Sequence, residues 1–338
     1  MRSKENFVKH PIGTFCTVYG LGQLLTEPKP VNGGLMHAMY RVCTTQGEYA
    51  VKVLNADIMK RPTAYQNMVN SEVVSHALKD TVPLVAAKTL SGKHVIEFEG
   101  AFWMVFDWLE GKSIYPPDLT ERHCSLIGDL LGRIHAADIR VANIPRSTAD
   151  RNPFLWRDLL TQAETKNSTI LPLLQTHLSS ILAWDEQLND SWALVQRHQV
   201  ISHRDLDPKN ILWKDGQPFI IDWEAAGYVN PAQELVEILN YWIVDADGQY
   251  SRQKFDALMN SYTVHADVSS VDWSAVLSTS FAGMLGWLEY NIKRALGLEG
   301  SNASDRAEGE AQVQQTLREL CQYQLQINLL YEWLSQHQ

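Results

Sequence analysis

The segment His203-Arg204-Asp205-Leu206-Asp207-Pro208-Lys209-Asn210 crowds acids, an amide and an imidazole together, and Asp222 follows twelve residues after Asn210. These residue types at this spacing suit the transfer of a phosphoryl group. Such a transfer needs a triphosphate clamped by a divalent metal, and an acceptor hydroxyl that is oriented while its proton is accepted. Mg2+ prefers hard oxygen donors and keeps several waters, so a carboxylate and an amide suffice to hold it. An Asp five residues before an Asn lets the two face different tasks, Asp205 the acceptor hydroxyl and Asn210 the metal. Asp222 lies between the apolar Ile221 and Trp223, and a hairpin after Asn210 would return it to Asn210's side. Taken singly, each residue has a plainer explanation: Asp205 and Asp207 as turn formers before Pro208, Asn210 as a loop cap, Asp222 as a strand-end carboxylate, His203 as a packed core imidazole. Taken together, H-x-D-x-x-x-x-N, a hairpin and an apolar-flanked Asp form a specific set.

The elements that must position these residues are legible in the pattern. Asp215-Gly216 between the apolar runs 210–213 and 218–222 is a strong hairpin signal, and 200–202 reads as a strand leading into the loop. Residues 1–110 look strand-rich. Strands are expected over 15–25, 37–44, 48–54, 93–97 and 101–108, with turns at Asn32-Gly33-Gly34 and Gln46-Gly47. One helix is expected over 68–78, with Met68, Val69, Val73, Val74 and Leu78 on a broad apolar face. Beyond Gly111 the spacing turns helical over 126–135, 154–163, 171–185, 234–244, 274–296 and 312–334, while the polar stretch 297–310 reads as a mobile loop. The expected fold class is therefore α+β: a small antiparallel-sheet lobe at 1–110, then a larger, mainly helical lobe at 111–338.

Composition narrows the partners. The 338-residue chain is 45% hydrophobic and 20% charged, an ordinary globular mixture. Its formal charge of −10 is the wrong sign for a protein whose main task is gripping a phosphate backbone, so no nucleic-acid partner is expected. A small cationic substrate would suit that field. Cys16, Cys43, Cys124 and Cys321 show no metal-ligand spacing and read as reduced thiols. The N-terminus lacks an apolar leader pattern, and the most apolar stretches are far too short to span a bilayer. A soluble, cytoplasmic protein with no membrane partner is expected, and the sequence carries no signature of an oligomeric state.

The constellation resembles the aminoglycoside phosphotransferase/choline kinase family, small-molecule phosphotransferases with a bilobal protein-kinase-like fold. The likeness rests on His203-x-Asp205-x-x-x-x-Asn210 and on Ile221-Asp222-Trp223-Glu224, and spans about residues 15–245. It implies that Asp205 is the catalytic base, that Asn210 and Asp222 hold Mg2+, and that His203 supports the loop. It also implies ATP as donor, with GTP as the alternative nucleotide. Upstream, Tyr49-Ala50-Val51-Lys52-Val53 is an apolar strand interrupted by one lysine, which would reach the α- and β-phosphates, and Glu72 on the following helix would pair with Lys52. Gly33 and Gly34 lie where a phosphate-covering loop belongs. Backbone groups near Phe106 to Trp108 would meet adenine at the hinge. Two features depart from the family pattern. Asn230-Pro231 and Glu234 stand where the family carries Asp-Pro and a further Asp, and Glu can replace Asp as a structural acceptor. His203-Arg204-Asp205 itself looks like a protein kinase, but Asp222-Trp223-Glu224 replaces D-F-G and no A-P-E follows.

The acceptor is expected to be the hydroxyl of a small molecule. Asp207, Glu224, Asp245, Asp247 and Glu289 are candidate pocket carboxylates, and Trp242, Trp287 and Tyr290 candidate stacking or cation-caging rings. Three readings follow: an aminoglycoside-phosphotransferase-like enzyme, a choline- or thiamine-type metabolic kinase, and a catalytically inactive nucleotide-binding regulator. The presence of Lys52, Asp205, Asn210 and Asp222 together argues against the third.

Overall fold

The computed structural model describes residues 10–31, 37–146, 151–299 and 303–337. The chain divides into two compact units, and both are discontinuous. The first comprises Met1–Tyr115, Ile139–Ile144 and Asp205–Ala226; the second comprises Pro116–Asp138, Pro145–Arg204 and Gly227–Gln338. The segment that carries Asp205, Asn210 and Asp222 thus belongs to the first unit, together with Lys52.

The first unit opens with helix α1 (Ile12–Val18) and continues through β1 (Lys29–Pro30), β2 (Ala38–Thr44), β3 (Gly47–Val53), α2 (Ala56–Met59), α3 (Ala64–Leu78), β4 (Ile96–Phe98) and β5 (Ala101–Asp107). The strands form one antiparallel sheet in the order β1-β2-β3-β5-β4. Alternation along β3 decides which side each residue faces. Tyr49, Val51 and Val53 point to one side, where they bury with Val42, Trp103, Val105 and Phe15 of α1. Lys52 points to the other, where Met68 of α3 packs on Met104 and Val95.

The second unit is mainly helical: α4 (Glu121–Ala136), α5 (Trp156–Thr165) and α6 (Leu171–Val195), then strand β6 (Val200–Ser202). The chain next returns to the first unit for a hairpin, β7 (Ile211–Lys214) and β8 (Gln217–Ile220), and goes back through β9 (Gly227–Val229), which pairs with β6. Helices α7 (Pro231–Trp242), α8 (Arg252–Tyr262), α9 (Trp273–Thr279), α10 (Ala282–Ala295) and α11 (Ala303–Leu334) complete the unit. Gly128 of α4 lies against the backbone of α8. A Cβ there would stand 2.1 Å from the Leu258 carbonyl oxygen, so the close helix approach requires glycine. Among the described residues no helix is long and apolar enough to cross a membrane.

The expected sheet, hairpin and helical remainder are present, and several boundaries move. Residues 15–25 are not a strand. Ile12, Phe15 and Cys16 recur at helical spacing and are buried, so 15–18 belong to α1, and Leu24 and Leu25 reach the sheet, as a bridge to Thr44 and a bond to the Cys43 carbonyl. The strand expected over 93–97 begins only at Ile96. On α3, Val73 is exposed while Asn70, Ser71, Glu72 and Ser75 are buried, so its inner face is partly polar. The helix expected over 274–296 breaks into α9 and α10. Helix α11 starts at Ala303, inside the stretch read as a loop.

Candidate active site

Lys52 is buried in the middle strands of the sheet, and burial alone would drive its ammonium toward neutrality. Two carboxylates reverse that. Its Nζ donates to Asp222 Oδ1 at 2.9 Å and to Glu224 Oε2 at 2.8 Å, and the net shift is upward. Glu224 is in turn held well down, at about 2, first by the hydrogen bond from His37 and then by Lys52. His37 Nδ1 accepts the Asn55 N–H at 3.0 Å, which leaves Nε2 as the protonated nitrogen in the neutral ring, 3.3 Å from Glu224 Oε2.

The hairpin supplies the other half of the site. Asp215 and Gly216 both take positive φ, 52° and 72°, the turn that suits a two-residue hairpin. Ile211 pairs with Ile220, and the Ile221 N–H donates to the Asn210 carbonyl at 2.9 Å. That register puts Asp222 at Asn210's side. The hairpin is tied into its own unit by Lys112, whose N–H and C=O bond to Trp213, and by the bond from the Ile220 N–H to the Pro83 carbonyl. Asp222 adopts φ 59° and ψ 66°, and Arg204, just before the loop, adopts φ 65°. Non-glycine residues held there cost about 1–3 kcal/mol and persist only where the surroundings impose them.

Within the loop, Asn210 Nδ2 donates both to the Asp205 carbonyl, at 2.8 Å, and to Asp205 Oδ2, at 2.9 Å. With both amide hydrogens committed, its Oδ1 is left to accept. Asp222 gives one oxygen to Lys52 and keeps Oδ2. These are hard oxygens of the kind a magnesium ion takes, one carboxylate and one amide, with waters and substrate phosphates filling the rest. Among the described residues no group of three or more His, Cys, Asp or Glu is arranged to hold a metal. Asp207 Oδ1 accepts the Lys209 N–H at 2.8 Å and caps the 3-10 turn Pro208–Asn210. Lys209 Nζ donates to Asp205 Oδ1 at 3.2 Å.

In the second unit, Glu234 supports the backbone of Arg204, the residue before Asp205. Its Oε1 accepts the Arg204 N–H at 2.7 Å. Its Oε2 meets His135 Nε2 at 2.8 Å, and His135 Nδ1 meets the Tyr262 hydroxyl at 2.9 Å. Burial pushes the Glu234 carboxyl up, but the His135 hydrogen bond and the Arg204 N–H outweigh it, and the net shift is downward. Glu234 is thus the structural acceptor that the sequence suggested. Asn230 caps α7 by accepting the Ala232 and Gln233 N–H groups.

Other expectations fare differently. Glu72 does not pair with Lys52 within salt-bridge distance among the described residues. Its Oε2 instead accepts the Ser75 hydroxyl at 3.0 Å and the Ala87 N–H at 2.8 Å, while Lys52 is satisfied by Asp222 and Glu224. Gly33 and Gly34 lie outside the described residues. Phe106 is in register with Ala50. The Trp108 N–H is committed to the Glu48 carbonyl at 2.9 Å and its indole N–H to Glu110 at 2.8 Å, so neither is free for an adenine. His203 is fully buried. Trp242 is also fully buried, a core residue and not a substrate platform. Asp245 pairs with Lys254 at 2.6 Å and Glu289 with Lys293 at 3.2 Å, and Asp247 accepts the Gln249 N–H. Trp287 and Tyr290 are exposed and stack on each other at 5.6 Å. Sequence reasoning assigned no role to His37 or Lys209. Lys209 had a local signal, a cation four residues after Asp205 in a turn; His37 had none, because its partner is remote in sequence.

The chain is similar to several known proteins. The homoserine kinase of Methylobacterium nodulans is 26% identical over 74% of this chain and 75% of its own length. Among solved structures, spectinomycin phosphotransferase in complex with ADP and spectinomycin superposes with a TM-score of 0.65 at 12% identity, over 90% of this chain and 93% of that one. A microcompartment-associated aminopropanol kinase gives 0.61 at 14% identity, over 94% and 99%. The fold is protein-kinase-like. The phosphotransferase enzyme family (APH) matches residues 27–267, and the chain belongs to it.

Proposed function

We propose that this small-molecule kinase moves the γ-phosphate of ATP to the hydroxyl of a small amino alcohol, with Asp205 as the base. The observation that carries the reading is the arrangement within one unit: Lys52 on Asp222, Asp222 returned beside Asn210, and Asn210 holding the Asp205 carboxylate at 2.9 Å. Lys52 steadies the phosphates. Asn210 Oδ1 and Asp222 Oδ2 would hold Mg2+, which when bound neutralises charge on the β- and γ-phosphates. Asp205 orients the acceptor hydroxyl and takes its proton. His203 supports the loop from the core, and Glu234 fixes the backbone at Arg204.

The acceptor class is supported by two facts. Homoserine and aminopropanol, which name the activities of two of the proteins above, each join a hydroxyl to an amine. Asp205, Asp207, Asp222 and Glu224, all of the first unit, outnumber its cations Lys52 and Lys209 in the site, so the local field favours an ammonium. The test is acceptor-dependent ADP release with Mg-ATP across homoserine, aminopropanol, ethanolamine, choline, thiamine and a set of aminoglycosides. Release confined to the small amino alcohols is expected. Release confined to aminoglycosides would move the reading to that class, and ATP binding without release from any acceptor would favour an inactive nucleotide-binding regulator.

A further inference from the structure

We infer that Lys209 is a further catalytic residue, a cation that spans the base Asp205 and the phosphoryl group in transit; this rests on the phosphoryl-transfer reading above. The ammonium donates to Asp205 Oδ1 at 3.2 Å and lies 3.9 Å from Asp207 Oδ2. Asn210 holds the other carboxylate oxygen, so Asp205 is fixed from both sides. An acceptor hydroxyl that Asp205 orients must come within about 3 Å of its carboxylate. The phosphorus that the hydroxyl attacks is then about 3–3.5 Å further on. An approach of the hydroxyl on the Oδ1 side of the carboxylate brings the transferring phosphoryl within reach of the flexible lysine that already bonds that oxygen.

The chemistry gives that lysine work to do. As the acceptor oxygen bonds to the γ-phosphorus, the bond from that phosphorus to the β–γ bridging oxygen breaks. The electron pair leaves with ADP, and the acceptor's proton passes to the Asp205 carboxylate. Negative charge is spread over the three equatorial oxygens throughout. Lys209 has three donors, of which Asp205 takes one, and its side chain is 51% exposed, so the others are available to those oxygens. The ammonium also keeps the Asp205 carboxylate and the incoming phosphate from repelling each other.

Stability gives the side chain little reason to be there. The Asp207 cap and the bond from Ser113 to the Lys209 carbonyl already fix its backbone. A half-exposed i,i+4 ion pair adds almost nothing to folding. Substitution therefore probes chemistry with small risk to the fold.

The test compares full-length wild type with Lys209→Met, Lys209→Arg and Asp205→Ala. Turnover is read as ADP release with Mg-ATP and homoserine, aminopropanol, ethanolamine or choline, and ATP and ADP affinities are read by calorimetry. Lys209→Met is expected to lower kcat about 10²–10³-fold, the usual cost of losing one donor to developing charge. It should weaken ATP about five-fold while leaving ADP unchanged, and Lys209→Arg should recover most of kcat. A kcat within three-fold of wild type in Lys209→Met would overturn the inference, as would equal losses of ATP and ADP affinity. If wild type itself releases no ADP from any acceptor, the function reading fails separately. The ATP-against-ADP contrast then decides whether Lys209 meets the terminal phosphate.

Discussion

Two carboxylate clusters in this molecule, one in each unit, differ in how completely their hydrogen-bonding capacity is used. In the first unit, Asp222, Glu224 and Asp205 surround Lys52 and Lys209, and their side chains are 40%, 28% and 37% exposed. In the second unit, Glu234 meets His135, with side chains 1% and 2% exposed. The Glu234 cluster is closed. Both carboxylate oxygens accept a hydrogen bond, and both His135 nitrogens have partners. The Lys52 cluster is open, with oxygens of Asp222 and Asn210 left uncommitted. A buried ionic group must be fully satisfied, because an orphaned charge away from water is costly. A site that handles a charged substrate must instead hold some of its capacity in reserve. The contrast separates scaffold from chemistry without reference to sequence motifs.

That contrast can be broken by substitution. Asp222→Ala should leave the fold intact, because Lys52 keeps Glu224, yet lower turnover about 10³-fold or more, the scale of losing a main stabiliser of the transferring charge. Circular dichroism and steady-state ADP release check the two halves. Near-wild-type turnover would remove Asp222 from the metal assignment. Glu234→Ala should do the reverse in kind. It strips a buried partner from His135 and frees the Arg204 N–H, so it should cost about 3–5 kcal/mol in urea unfolding. A loss under about 1 kcal/mol would show that the cluster is not the scaffold described here.

A smaller effect sharpens the difference through pH. The Glu224 carboxyl is held at about 2 against an ordinary 4.5. A carboxyl depressed by folding contributes stability that is present above its unfolded value and is lost as pH falls toward its folded one. The stability gap between wild type and Glu224→Gln should therefore be complete near about pH 6, shrink from about 4.5 downward and close near about 2. A gap that instead widens on acidification would contradict the Lys52–Glu224–His37 arrangement.

How far these clusters could be read from sequence follows from how local their causes are. The hairpin was legible because Asp215-Gly216 is a turn signal complete in two residues, and it carried Asp222 to Asn210 with it. Lys52 was legible because a single lysine breaks an apolar strand. The Lys52–Glu72 pair was misread because Glu72's real donor, the Ala87 N–H, belongs to a loop that no pattern in α3 announces. His37 escaped for the same reason. Residues 15–25 looked like a strand by composition, although the spacing of Ile12, Phe15 and Cys16 is helical. Gly309 falls in the polar stretch 297–310, whose composition predicts a loop. In the structure it lies within α11, where a Cβ would stand 2.7 Å from the Ala295 backbone nitrogen, so that glycine marks close helix packing. A turn glycine such as Gly216 and a helix-contact glycine such as Gly309 look alike in sequence until the partner is known.

The most direct test of the central claim is ADP release by wild type and Asp205→Ala with Mg-ATP and homoserine, aminopropanol, ethanolamine or choline as acceptor. The arrangement around Asp205 predicts acceptor-dependent release by wild type, and a fall of about 10²–10⁴-fold in Asp205→Ala with ATP still bound. Acceptor-dependent release that survives the substitution unchanged would contradict Asp205 as the base.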